Sequence, residues 1–146
     1  MKAAIFQGED STMSTNNTTN TTGPESDVRV NITVGDSVLK ATMLDNETAR
    51  DFVSMLPMTL QMRDLYHREK TGRPSHALST GGPSQTTFEI GDLAYWALGP
   101  SVVIFYDDVN TSLDGTSIIV IGKIESGIDL FTNYDGSVEV TFKRTQ

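Results

Sequence analysis

Four aromatic residues stand in two adjacent pairs, Tyr95–Trp96 and Phe105–Tyr106, each inside a stretch rich in apolar residues. Both stretches predict β-strands, and a Gly-Pro turn separates them. Successive residues of a strand face opposite sides, so one aromatic of each pair should be core and the other should point outward. Outward rings would line a groove for a peptide or a small apolar ligand. The alternative is core packing with ordinary amphipathic surface positions.

Polar side chains that could form the rim of such a groove precede the aromatic pairs. Arg63 and Tyr66 lie at the end of a predicted strand, and Glu69 lies at the start of a predicted loop. The alternative for these three is a solvated charged edge. The candidate groove residues are therefore Arg63, Tyr66, Glu69, Tyr95, Trp96, Phe105 and Tyr106.

Other kinds of chemistry lack the residues that they need. The chain has no cysteine, which excludes disulfides, thiolate catalysis and cysteine-type zinc sites. His67 and His76 have no zinc-ligand spacing around them. Residues 108–112 imitate the start of a calcium loop, but Leu113 replaces the glycine at its sixth position and Ile119 the glutamate at its twelfth. We expect no metal and no cofactor.

The charge balance also limits the partners. A formal net charge of -8 and a pI near 4.5 oppose nucleic-acid binding, because phosphates would be repelled. No apolar run approaches the roughly 18 residues of a membrane span, and the apolar stretch near the start is too short for a signal peptide. We therefore expect a cytoplasmic, acidic protein with neither nucleic-acid nor membrane partners.

Composition divides the chain near residue 27. Residues 14–27 contain no apolar side chain and are rich in Asn and Thr, which bury too little surface to offset the entropy of ordering. We predict a disordered leader over residues 1–27 and one folded domain over residues 28–146, a length that suffices for a core of its own.

Within that domain the patterns predict mostly strands. Residues 28–34 and 37–44 alternate around a Gly-Asp turn and predict a hairpin. An amphipathic helix follows, capped by Asp45 or Asn46 and ended by Pro57. The remaining predictions are a strand at 58–66, a long surface loop at 67–86, short strands in TFEI, LAYWAL and SVVIFYDD, a strand at 116–124, a helical turn at 125–131 and a closing strand at 137–143. Such spacing indicates a closed barrel or a sandwich.

Three blocks of the sequence resemble cyclophilins. LDGTSIIVIGKIESGIDLF is similar to the cyclophilin segment L-D-G-x-x-V-V-F-G-x-V-x-x-G-M-D-V, and VGDSVLKATMLDNETARDFVSMLP is similar to the opening strand-turn-strand-helix. GDLAYWALGPSVVIFYDD is similar to G-x-L-S-M-A-N-x-G-P followed by S-Q-F-F-I. The nearest resemblance is to the compact bacterial cyclophilin-like proteins. It implies a mainly β fold, a closed barrel of about eight strands with one or two short helices.

The catalytic residues of prolyl isomerases match only in fragments. Tyr66, His67 and Arg68 imitate the F-H-R triplet whose arginine donates to the twisting imide, but the motif that should follow is missing. Val102 stands where the resemblance places a glutamine, and valine offers no hydrogen bond to a transition state. Isomerase activity is therefore not supported.

Three functional hypotheses remain. The preferred one is a non-catalytic module that binds a peptide or small molecule in the former active-site groove. The second is an enzyme, either a divergent isomerase or another activity in the same groove, since one fold hosts many functions. The third is an interaction or assembly module that pairs through exposed strand edges.

Overall fold

A computed structural model gives the fold and describes residues 23–109 and 112–145. Residues 1–22 of the predicted leader lie outside the described part. The first strand begins at Glu25, somewhat before the predicted start of the domain at residue 28.

The described residues form eight strands and two short helices. They are β1 (Glu25–Val34), β2 (Ser37–Leu44), α1 (Glu47–Ser54), β3 (Met58–Leu65), β4 (Glu69–Gly72), β5 (Asp92–Trp96), β6 (Ser101–Phe105), β7 (Ile119–Ile124), a 3₁₀ helix (Ile128–Asn133) and β8 (Val138–Arg144). Neither helix in this part of the chain is long and apolar enough to cross a membrane.

The eight strands close into one barrel in the order β1-β2-β7-β5-β6-β4-β3-β8, and β8 pairs with β1. All the ladders are antiparallel. The predicted mainly β barrel with two short helices is confirmed. Closure gives every one of these strands a paired neighbour on both sides.

Local sequence explains the first elements. Val30, Ile32 and Val34 alternate into the interior, and Gly35 takes the left-handed φ of 59° that the turn into β2 requires. Asn46 caps α1, because its side chain accepts the backbone N–H of Ala49 at 2.8 Å.

The barrel has apolar clusters on both sides of its wall. The larger cluster fills the interior. The smaller one lies outside the wall, where the segments around Phe88 and Ile118 cover β5, β6 and β7. Its buried members are Leu44, Phe88, Ala94, Val103, Phe105, Ile118 and Val120. This second cluster forms the floor of the candidate site.

Two predicted elements are wrong. The predicted loop at 67–86 contains strand β4, all of whose residues are buried. The prediction failed because Glu69 and Lys70 are charged, and charged side chains are normally exposed. Their burial depends on partners in the folded chain that offset the desolvation of the two charges. The stretch TFEI is not a strand: the carboxylate of Asp92 accepts the backbone N–H of Glu89 at 2.8 Å and bends the chain into a turn.

Candidate ligand-binding site

A cavity of about 200 Å³ opens on the outer face of the barrel beside the β3–β4 hairpin. Its walls come from that hairpin, from the outward faces of β5 and β6, and from the segment 112–118. They combine three aromatic rings, an ion pair and several aliphatic side chains. The lining includes Tyr66, Trp96, Phe105, Arg68, Glu69, Leu65, Val103, Leu113, Thr116 and Ile118.

Strand alternation brings the aromatic rings to this face. Trp96 points outward from β5 and Phe105 outward from β6, and both contact the outer cluster. Phe88 stacks on Phe105 with ring centroids 4.1 Å apart and planes 14° apart. Phe105 lines the cavity, and Phe88 packs on its ring.

Trp96 also carries an unusual polar atom. Its indole Nε1 is buried and has no hydrogen-bond partner among the described residues. A buried donor left unpaired costs about 1–3 kcal/mol, so such groups are rare.

Arg68 is the central charged group of the cavity. The residue is only 6% exposed, and its guanidinium donates to Oε2 of Glu69 from Nε at 2.8 Å and from Nη2 at 2.6 Å. Nη1 donates to the backbone carbonyl of Ser112 at 3.0 Å. The guanidinium carbon lies 5.1 Å from the ring centroid of Tyr66 and 5.2 Å from that of Phe88. Cation–π contact and ion pairing together offset the desolvation of this charge.

Glu69 responds to the same environment. Burial raises the pKa of its carboxyl above the ordinary value, and the hydrogen bonds and charge of Arg68 offset part of that rise. The ion pair with Arg68 therefore opposes the effect of burial on this carboxyl without cancelling it.

The turn between β3 and β4 holds Tyr66 over Arg68. Both Tyr66 and His67 have left-handed backbones, with φ of 60° and 52°, and the N–H of Arg68 donates to the carbonyl of Leu65 at 3.1 Å. Non-glycine residues rarely adopt this conformation, and two in succession indicate local strain. The N–H of His67 donates to Oδ2 of Asp64 at 3.0 Å, which stabilises the turn.

Asp64 joins this turn to a charge cluster inside the barrel. Its Oδ1 accepts Nζ of Lys70 at 3.0 Å and also accepts the hydroxyl of Tyr106. Lys70 is fully buried, and it donates in addition to the backbone carbonyl of Tyr134. This cluster lies on the inner side of the wall, whereas Arg68 and Glu69 lie on the outer side.

The pKa values in the cluster follow from these contacts. Burial alone would raise the pKa of Asp64, but hydrogen bonds from Tyr106 and Lys70 and the charge of Lys70 bring it below the ordinary value. Burial and the neighbouring carboxylate of Asp64 raise the pKa of Tyr106. Asp64 is therefore an anion, and Tyr106 a neutral donor, near pH 7.

The structure separates the seven residues predicted for the groove. It brings four of them, Tyr66, Glu69, Trp96 and Phe105, together around the cavity. Arg63 lies in an adjoining depression on the same face.

Tyr95 and Tyr106 do not line the cavity, because they point into the barrel interior. Each aromatic pair thus has one core ring and one outward ring, as strand alternation predicts. The hydroxyl of Tyr95 accepts the N–H of Leu78 at 3.1 Å, which ties the segment after β4 to the core.

Sequence reasoning assigned no groove role to Arg68, nor to Leu113 and Ile118. The signal for Arg68 was present in its match to the F-H-R triplet, but the polar residues after it predicted a solvent-exposed loop. Leu113 and Ile118 reach the cavity through the folding of a long segment onto the barrel, which no local pattern encodes. Within the described residues, no group of three or more acidic or histidine side chains is placed to hold a metal ion.

Comparison with known proteins agrees with this architecture. Residues 32–143 match the model of the cyclophilin-like family. The solution structure of a hypothetical protein from Archaeoglobus fulgidus superposes with a TM-score of 0.65 at 21% identity, covering 87% of this chain and 100% of the other. At that identity the likeness concerns the fold alone. No curated protein sequence matches this chain significantly.

Proposed function

The chain belongs to the cyclophilin-like family, and from that premise we propose that it is a binding module, which takes a peptide or small molecule at the cavity beside Arg68. One observation carries the proposal: a preformed cavity walled by aromatic rings contains a buried arginine–glutamate pair. Sites for organic ligands are typically apolar concavities with a few fixed polar groups, and this cavity has that composition.

The size of the cavity suggests how much of the ligand enters it. About 200 Å³ is below the usual 300–1,000 Å³ of sites that enclose a drug-sized ligand. It suffices for one apolar side chain or a small ring, which would contact Phe105 and Val103. The rest of a larger ligand would lie across the rim near Tyr66 and Trp96.

The state of Arg68 supports binding without catalysis. An isomerase needs an arginine that donates to the substrate's imide nitrogen when that nitrogen becomes pyramidal. Here, donors on Nε, Nη1 and Nη2 already meet Glu69 and Ser112. Val102, at the position that the resemblance gives to glutamine, lies in the barrel interior and does not line the cavity.

The test uses Trp96, the only tryptophan of the chain, as a fluorescent reporter. An uncharged peptide amide with one central phenylalanine is titrated against the protein, and the same peptide with central alanine serves as the ligand control. We expect a saturable fluorescence change with the phenylalanine peptide alone. Equal responses to both peptides, or no response, would reject the cavity as the binding site.

A matched pair of variants locates the binding. Thr116 lines the cavity, whereas its neighbour Ser117 is exposed and does not. Thr116→Phe should fill the cavity and abolish the response, and Ser117→Phe should leave it unchanged. Loss in both variants would indicate a general disturbance of the 112–118 segment.

A second candidate function, a divergent prolyl isomerase, has one observation in its favour: Arg68 lies beside an apolar cavity at the position of the family's arginine triplet. Exchange NMR of an Ala-Pro peptide tests it with wild type and with Arg63→Ala and Arg68→Ala. We expect no acceleration of cis/trans exchange. Acceleration that Arg68→Ala alone abolishes would establish catalysis and replace the proposal.

A further inference from the structure

A shallow depression, the arginine groove, continues from the cavity along the outer face of β3 and β4. Arg63, Thr71, Arg73 and Ser101 line it, and it shares Leu65 and Trp96 with the cavity. A ligand that leaves the cavity past Trp96 therefore enters the arginine groove.

The two arginines of the groove are exposed and lack acidic partners. Neither Arg63 nor Arg73 has a carboxylate within 4.0 Å among the described residues. Most other cations of the described chain do have one: Arg29, Arg50, Arg68, Lys70 and Lys123. In a protein of net charge -8, two unpaired arginines beside an aromatic cavity form a local site of opposite sign.

Strand geometry sets the spacing between the cavity and the charges. Leu65 and Arg63 are two residues apart on the outer face of β3, which corresponds to about 6.7 Å along the strand. Arg63 pairs with Thr71. Arg73 follows the end of β4 and precedes Pro74, which favours an extended backbone, so it lies roughly one further step of this length beyond Thr71. An extended peptide has the same two-residue repeat, so its alternate side chains would meet the cavity and the arginines in turn.

We propose that the occupant is an extended acidic peptide segment, with an apolar side chain in the cavity and carboxylates two and four residues away facing Arg63 and Arg73. The inference rests on the proposed binding function and gives it a ligand class. A peptide fits better than a small carboxylate because the cavity and the two arginines span two successive strand steps, more than a small molecule bridges. Arginine also suits this role, since its planar guanidinium binds carboxylates through paired hydrogen bonds.

The experiment compares two nine-residue peptide amides with phenylalanine at the centre. One has glutamate at every second position on both sides, and the other has glutamine there, with alanine elsewhere. A third peptide keeps the glutamates but replaces the central phenylalanine by alanine. Binding is followed by the fluorescence of Trp96 at low and at high salt.

The variants separate local from overall charge. Arg63→Gln/Arg73→Gln removes the charges of the groove, and Lys40→Gln/Lys143→Gln removes the same total charge from exposed positions that line neither the cavity nor the groove. We expect the glutamate peptide to bind wild type about three- to tenfold more tightly than the glutamine peptide at low salt. This preference should vanish in the arginine variant and at high salt, and persist in the lysine variant.

Each other outcome overturns a distinct claim. Equal affinity of the glutamate and glutamine peptides for wild type, or equal loss of the preference in both double variants, rejects the acidic ligand but leaves the cavity. If 3-phenylpropionate binds as tightly and depends on Arg63 and Arg73, the ligand is a small carboxylate and not a peptide. If the glutamate peptides with and without phenylalanine bind alike, the cavity takes no anchor. If no peptide binds, both proposals fail.

Discussion

Asp64 accepts the backbone N–H of His67 at 3.0 Å through Oδ2, and Nζ of Lys70 at 3.0 Å through Oδ1. One carboxylate thus connects a fully buried lysine inside the barrel with the strained turn that carries Tyr66 over the cavity. The core of the barrel and the rim of the site are therefore coupled through a single side chain.

Removing one charge of this interior pair should lower the free energy of unfolding more than replacing both charged side chains by apolar ones. Asp64→Asn leaves the ammonium of Lys70 buried without its counterion, and we expect a loss of about 3–5 kcal/mol in the free energy of unfolding. The double variant Asp64→Leu/Lys70→Met removes both charges and should lose much less, although the hydroxyl of Tyr106 then also lacks its acceptor. Chemical denaturation of Asp64→Asn and of the double variant measures the difference, and a loss in the double variant as large as that of Asp64→Asn would show that the two charges are not coupled.

The lowered pKa of the Asp64 carboxyl should make the stability of the protein depend on pH. In the folded protein the pKa of Asp64 lies below 3.8, since hydrogen bonds from Tyr106 and Lys70 outweigh the effect of burial. Below pH 3.8 the unfolded chain therefore binds this proton more readily than the folded protein, and stability is lost as the pH falls. The stabilisation is complete above that pH.

Denaturation at pH 7 and pH 3 checks this, with Asp64→Leu/Lys70→Met as the reference because it lacks the titrating pair. Wild type should lose stability relative to the reference as the pH is lowered. A difference that stays constant between the two pH values would mean that the pKa of Asp64 is not lowered by folding. The raised pKa of Asp92 acts in both proteins and cancels in the comparison. That of Glu69 cancels only in part, because the charge of Asp64 contributes to it and opposes the expected loss.

Two adjacent aromatic residues should give opposite results when each is replaced by phenylalanine. Tyr95→Phe removes the acceptor of the buried N–H of Leu78, so we expect a loss of about 1–3 kcal/mol in stability with ligand binding unchanged. Trp96→Phe breaks no hydrogen bond among the described residues, so stability should change less, while the shared wall of cavity and arginine groove shrinks.

Thermal unfolding and NMR titration with the phenylalanine peptides measure both effects without the tryptophan signal. A weaker response of Trp96→Phe to the peptides, together with an unchanged response of Tyr95→Phe, supports an outer-face site. The reverse pattern would place the ligand inside the barrel.

The elements that were predicted correctly are those whose burial follows from residue types within a few positions along the chain. The alternation of Val30, Ile32 and Val34 and the cap at Asn46 each act within a few residues, so patterns predict them. Strand β4 was missed because its charges are buried in ion pairs with Arg68 and Asp64, and Lys70 also donates to the distant carbonyl of Tyr134. A hydrophobicity pattern carries no information about such contacts.

The candidate site was predictable to a similar degree. Strand alternation correctly separates Trp96 from Tyr95 and Phe105 from Tyr106, although it does not say which ring of each pair faces outward. Arg68 was not assigned to the groove because its burial depends on the carbonyl of Ser112, supplied by a segment more than forty residues later. A contact between residues so far apart in sequence forms only in the folded chain, and no local pattern predicts it.

Substitutions at His67 should reveal the backbone strain of the left-handed turn. His67 has φ of 52°, where a Cβ atom is crowded by the backbone, and its side chain is 81% exposed. Glycine has no Cβ, so His67→Gly should be more stable than His67→Ala by about 1 kcal/mol. Both variants lack the imidazole, and both keep the backbone N–H that binds Asp64. Their difference therefore isolates the strain of the backbone.

The control is the only other histidine of the chain. His76 is also exposed, but its φ is not positive, so there His76→Ala should be at least as stable as His76→Gly, because glycine loses more entropy on folding. Thermal denaturation of the four variants gives both differences. If the preference has the same sign at both positions, the turn is not strained. If it reverses as expected, and His67→Gly still binds the phenylalanine peptide, the turn is strained and ligand binding does not depend on that strain.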